Sequence, residues 1–189
     1  MVLILISQES TSPTPNMKMN PLRNITLIGM PGAGKSTCGR LLAKLLGFEL
    51  LDTDVLICQQ YKRSLQNIVS EDGYMTLRHY EEQVILGLDV QQTVISTGGS
   101  AVYSRAAMLH LSGLSTVVYL CVPYEVIAGR IKNLDTRGLA KQEQQSLLDL
   151  YQERKSLYEK YADITVDATS SVATVAETIQ ALTANSMQA

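Results

Sequence analysis

The stretch Gly29-Met30-Pro31-Gly32-Ala33-Gly34-Lys35-Ser36 fits the pattern GxxxxGK[ST]. Each residue type has a physical task in that pattern. Glycines let the backbone curl so that successive N–H groups converge on phosphate oxygens. A helix starting where such a loop ends adds its own free N–H groups and the positive end of its dipole. Lys35 then reaches the β- and γ-phosphates of a nucleotide, and the Ser36 hydroxyl serves as a ligand for Mg²⁺. Gly29, Gly32, Ala33, Gly34, Lys35, Ser36 and Thr37 are therefore the expected nucleotide-binding residues. A dinucleotide fingerprint fits poorly, because it needs glycine where Thr37 stands. A GTP-binding switch would carry an NKxD-type motif, and Lys132-Asn133-Leu134-Asp135 has the wrong order. At 189 residues the chain is short for a motor or transporter ATPase. It suits a small-molecule or nucleotide kinase, which needs an acceptor pocket and a lid.

Further residues offer themselves for that pocket. Asp52 and Asp54 are read as the end of a strand, where carboxylates at i and i+2 share one side and where α/β sheets bind ligands. One would support Mg²⁺ through water and the other would accept a hydrogen bond from an acceptor hydroxyl; the alternative is a helix N-cap. Arg78 lies beside a helical row of Tyr74, Leu77, Glu81, Val84 and Leu88, and Arg154 falls on the apolar stripe of Leu147, Tyr151 and Tyr158. An inward charge needs a partner, and a carboxylate held by two guanidinium groups would supply it. The competing readings are an Arg78–Glu81 ion pair and an Arg154 stem that snorkels to solvent. Thr97-Gly98-Gly99-Ser100 follows a strand, and glycines there would leave N–H groups free for a ligand, unless the segment is a plain turn. Arg130 and Arg137 bracket the polar segment 133–143. That segment reads either as a lid carrying Arg137 to the transferring phosphoryl group or as a solvated loop.

These residues need a scaffold, and the hydrophobic pattern supplies one. Short apolar runs at 25–28, 48–51, 93–96, 116–120 and 164–166 alternate with helical patterns. The helical patterns are one ended by Gly47, one reaching about Val90, one reaching about Lys132, and two near 143–161 and 172–183. Alternation of this kind predicts one α/β domain over 21–189, a parallel sheet with helices on both faces. Residues 1–20, with their Ser/Thr/Pro run, read as a disordered extension. The chain is 46% hydrophobic and carries a formal charge of −2, which argues against a general nucleic-acid binder. No apolar run approaches the ~20 residues of a membrane span. Three separated cysteines favour reduced thiols in the cytoplasm over a disulfide framework or a zinc site. His79 and His110 read as packing or surface residues.

Taken together, the motifs resemble the shikimate kinase family. That family's series is a P-loop, a DxD, an FRxxE helix, a GGG turn, a lid arginine and a late arginine. Here it corresponds to Gly29–Ser36, Asp52-x-Asp54, Leu77-Arg78-His79-Tyr80-Glu81, Gly98-Gly99-Ser100, Arg137 and Glu153-Arg154, in order from about 23 to 167. The resemblance implies a three-layer P-loop NTPase fold with a five-stranded parallel sheet, like the nucleoside-monophosphate kinases, with a lid. It implies a cytoplasmic, monomeric enzyme of the aromatic amino acid pathway that uses ATP and Mg²⁺ to phosphorylate the 3-hydroxyl of shikimate. Asp54, Arg78, Gly98, Gly99 and Arg154 would bind shikimate, with Ser100 at the same pocket. Arg130 would lie against adenine, Asp52 would support Mg²⁺ through water, and Lys35, Asp54 and Arg137 would be catalytic. Three departures bear on this. Ser100 replaces the third glycine, Leu77 replaces the phenylalanine, and Arg137-Gly138-Leu139 lacks the lid proline, which should loosen the lid. Ser100 leaves open another small hydroxylated acid or polyol as acceptor. A regulatory nucleotide-binding module without turnover is the reading from a different class.

Overall fold

The structure is a computed structural model that describes residues 23–131, 140–141 and 144–185. The amino-terminal extension, Arg137 and most of the expected lid lie outside the described residues.

Five strands form one parallel sheet: β1 (Asn24–Ile28), β2 (Glu49–Asp52), β3 (Thr93–Ser96), β4 (Ser115–Cys121) and β5 (Ile164–Asp167). Their order is β2-β3-β1-β4-β5. Ile25 pairs with Val94 on one side and Thr116 on the other, so β1 is central. All five of its residues are buried, as expected for a parallel strand covered on both faces. The first crossover is α1 (Lys35–Leu46), which Gly47 ends in the left-handed conformation. After β4 come α6 (Tyr124–Arg130) and α7 (Leu147–Tyr161), and α8 (Val172–Asn185) closes the described chain against α1. The α/β architecture with a five-stranded parallel sheet agrees with the sequence expectation. Among the described residues no helix is long and apolar enough to cross a membrane.

Between β2 and β3 the single helical stretch expected from the sequence is three helices: α2 (Thr53–Tyr61), α3 (Leu65–Asp72) and α4 (Tyr74–Leu86). Two local features break it. Ser64 caps α3 by accepting from Asn67 N–H at 3.1 Å, and Gly73 sits at φ 86° between α3 and α4. These helices enclose a small second core of Ile57, Ile68, Leu77 and Val84, and the Tyr61 and Tyr80 rings stack at 3.6 Å to tie α2 to α4. Burying Ile57 or Ile68 contributes about 1.5–3 kcal/mol each, which holds α4 in a fixed orientation. A further helix that the sequence reading did not assign, α5 (Arg105–Leu114), follows a short 3-10 turn at Ala101–Tyr103 and carries the chain into β4.

Candidate active site

At the carboxyl end of β1 the chain turns at once. Gly29 has φ 145°, and a Cβ there would lie 2.9 Å from the Leu120 carbonyl oxygen, so only glycine fits. Gly34, at φ 94°, caps α1, and no side chain covers the helix's first N–H groups. Lys35 is buried, and its Nζ donates to the Gly29 and Met30 carbonyls at 2.7 and 3.0 Å. Burial pulls its pKa down to about 8, against the opposing charges of Asp54 and Glu81. Ser36 donates to Asp52 Oδ2 at 2.6 Å, which ties the first turn of α1 to the end of β2.

The two aspartates do not share a strand face, contrary to expectation. β2 stops at Asp52, which caps α2 by accepting from Asp54 N–H at 3.0 Å, and Asp54 lies in the helix's first turn. A carboxylate next to a helix start satisfies an orphan N–H, and that competes with continuation of the strand. Asp52 thus both caps α2 and bonds Ser36. Asp54 faces a cavity of about 610 Å³ together with Lys35 and Ser36. Burial, and then the charge of Asp52, push its carboxyl above the usual range.

The opposite wall of the cavity is built by α4, α7 and the turn after β3. Glu81 is 2% exposed; Ser100 donates to its Oε2, and Oε1 has no partner among the described residues. Burial lifts the Glu81 carboxyl to about 7, with the neighbouring Asp54 charge adding to the rise. Gly98 lies beneath both carboxylates: a Cβ there would run into Glu81 Oε1 and come within 2.7 Å of Asp54 Oδ1. Its N–H is not free, contrary to expectation, because it donates to the buried Thr53 hydroxyl at 2.9 Å. Gly99 packs against the guanidinium of Arg154, where an added Cβ would lie 2.9 Å from Nη1, and its carbonyl accepts from the Tyr158 hydroxyl at 2.7 Å.

Arg154 is 1% exposed and lines the cavity. Its Nη2 donates to the Ala140 carbonyl at 2.8 Å. Arg78 is half-buried and does not line the cavity, and its Nη2 reaches the same carbonyl at 3.3 Å. No carboxylate among the described residues pairs with either guanidinium, and the Arg78–Glu81 ion pair is absent. The Ala140 carbonyl oxygen thus accepts from both guanidinium groups. Arg130 donates to the Gly32 carbonyl at 3.1 Å. With Gly32, Ala33, Gly34 and Thr37 it also borders a second cavity of about 260 Å³, whose other walls include Leu120, Ala168 and Val175. A flat heterocycle suits that mostly apolar space.

Glu81 closes the FRxxE-like run without a role assigned to it, and its carboxylate in an otherwise apolar helical row is the signal that marks it. Tyr103 belongs to no motif and has no such signal, since its ring meets the arginines only through the fold.

A glycine loop between the central strand and its helix, an enclosed lysine and an anion-ready cavity beside it define a P-loop phosphotransferase with an acceptor pocket. The chain belongs to the shikimate kinase family, whose sequence profile, described as Shikimate kinase, matches residues 31–183. A shikimate kinase of Bacillus mycoides (strain KBAB4) is 33% identical over 150 residues, 79% of this chain and 90% of that protein. One from Histophilus somni (strain 2336) is 40% identical over 146 residues, 75% of this chain and 83% of that protein. The solved shikimate kinase from Acinetobacter baumannii in complex with shikimate superposes with a TM-score of 0.81 at 34% identity, covering 87% of this chain and 94% of that one.

Proposed function

We propose that this protein is a shikimate kinase that moves the γ-phosphoryl group of ATP to the 3-hydroxyl of shikimate, giving shikimate 3-phosphate and ADP. The observation that carries the reading is Arg154: a buried guanidinium with no carboxylate partner among the described residues, on the wall of the cavity that also holds Lys35. Burying a charge without a counter-charge is costly, and an acid substrate supplies one. Arg78 and Arg154 hold the carboxylate, while Asp54, Gly98, Gly99 and Ser100 border the hydroxyl-bearing ring. The nucleotide phosphates lie along Gly29, Gly32, Ala33, Gly34, Lys35, Ser36 and Thr37, with the base beside Arg130.

In the transfer, the bond from the γ-phosphorus to the β,γ-bridging oxygen breaks as the acceptor oxygen bonds to phosphorus in line. The acceptor's hydroxyl proton passes to Asp54, whose buried carboxyl is a stronger base than a solvated one. Lys35 and Arg137 neutralise charge on the transferring group. The donor set fits Mg²⁺: a hydroxyl and a carboxylate 2.6 Å apart are hard oxygen donors. No cluster of three or more His, Cys, Asp or Glu among the described residues would cage a metal without phosphate. Ser36 directly and Asp52 through water would hold the ion, which supplies charge neutralisation on the phosphates when bound. The three cysteines form no disulfide, which supports a cytoplasmic setting, and we take the enzyme to act as a monomer.

The test is a coupled assay of ADP release with shikimate and a panel of other hydroxylated acids and polyols. Shikimate-dependent ADP release with formation of shikimate 3-phosphate is the expected result. A strong response to a different acceptor alone, or tight ATP binding without turnover, overturns the assignment.

A further inference from the structure

Tyr103 ends the 3-10 turn that follows Gly98-Gly99-Ser100, and its N–H donates to the Ser100 carbonyl at 3.0 Å. It is half-buried and belongs to neither apolar cluster among the described residues. Core packing therefore does not account for its ring. Its ring faces two cations: the Arg78 guanidinium carbon lies 3.5 Å from the ring centroid and that of Arg154 lies 5.3 Å away, while the Glu153 carboxylate stands near the hydroxyl end. The Tyr103 hydroxyl also accepts from Arg154 Nε at 3.4 Å. Tyr74 adds a second ring 5.0 Å from Arg78.

Two guanidinium groups aimed at one point repel each other, and without a ligand each would relax toward solvent. An aromatic face offers a cation attraction without a competing negative charge, and a tyrosine hydroxyl adds an acceptor at the ring's edge. A carboxylate in the same place would neutralise the arginines and close the site to an anionic ligand. The ring restrains them without neutralising them: both Nη2 groups meet at the Ala140 carbonyl, and the buried Nε of Arg78 has no partner among the described residues.

We propose that Tyr103 is a positioning residue that holds Arg78 and Arg154 as a converging fork and so makes the pocket selective for a carboxylate over a neutral group. The inference rests on the acid-kinase reading above. It deepens that reading, because it assigns acid selectivity to a residue outside the phosphate loop and outside the arginine pair. The ring acts before substrate arrives, so its effect falls on acceptor binding and not on phosphoryl transfer.

Steady-state kinetics of Y103F, Y103M and Y103Q test it, with shikimate and its uncharged methyl ester as acceptors. Y103F keeps the ring and should stay within about threefold of wild type in KM for shikimate. Y103M and Y103Q remove the π face by two routes, so failure of one to fold leaves the other. Either should raise the shikimate KM by about five- to twentyfold while kcat and the ATP KM stay within about twofold. The preference for acid over ester should fall with it, a change that general loosening would not produce. An unchanged shikimate KM, or parallel rises for acid, ester and ATP, overturns the Tyr103 role alone. Absence of shikimate turnover in the wild type overturns the acid-kinase reading and this inference together.

Discussion

Ser100 and Glu81 lie nineteen residues apart and share a buried hydrogen bond, hydroxyl to carboxylate, beneath the acceptor cavity. Where the family pattern has glycine, this chain has a hydroxyl donor at the cavity wall that fixes a carboxylate beside it. Burial lifts that carboxyl from 4.5 to about 7. The native state then keeps a proton that the unfolded chain releases, so Glu81 opposes stability as pH rises from its unfolded pKa through about 7. E81Q removes this slope. Its stability relative to wild type should improve by roughly 3 kcal/mol between about pH 4 and pH 8 in urea titrations. A difference that stays constant with pH contradicts the assignment.

Lys35 carries the opposite sign. Its pKa falls from 10.5 to about 8 on burial, so the unfolded chain binds more protons than the native state between those values. Stability should therefore rise with pH across that window in the wild type relative to K35M. In the same variant turnover should drop about 10²- to 10³-fold, since a charge aimed at the phosphates is lost. Urea unfolding at several alkaline pH values and the ADP-release assay check both parts.

Gly98 is constrained by space, not by its backbone angle. G98A would drive a methyl group into Glu81 Oε1 and close to Asp54 Oδ1. Acceptor binding should weaken by at least about a hundredfold while nucleotide affinity stays within about twofold, as calorimetric titration of each ligand would show. Equal weakening of both would mean that the turn supports the whole site and not the acceptor half.

Much of this arrangement was legible in the sequence because it is local. The phosphate loop is a contiguous motif, the strands are short apolar runs, and Arg154 breaks the apolar stripe of its own helix. What stayed hidden depends on pairing across the fold or on weak punctuation. The 53–90 stretch reads as continuous helix until Ser64 and Gly73 are given their capping and turn roles. Helix α5 carries a usable signal, the Ser104 cap bonding Ala107 N–H at 3.0 Å, but its flank of small residues blurs the periodicity. Asp52 and Asp54 mislead because strand alternation and helix capping use the same residues. The hydrogen bond from Gly98 to Thr53, the Ser100–Glu81 pair and the ring between the arginines join distant segments, and no one-dimensional spacing encodes them.

The acid-binding role of Arg154 is tested most directly by the KM values of R154A for the two substrates. Losing a buried charged donor should raise the shikimate KM by about two orders of magnitude and leave the ATP KM within about twofold. Equal losses for acid and nucleotide, or an unchanged shikimate KM, would contradict the account.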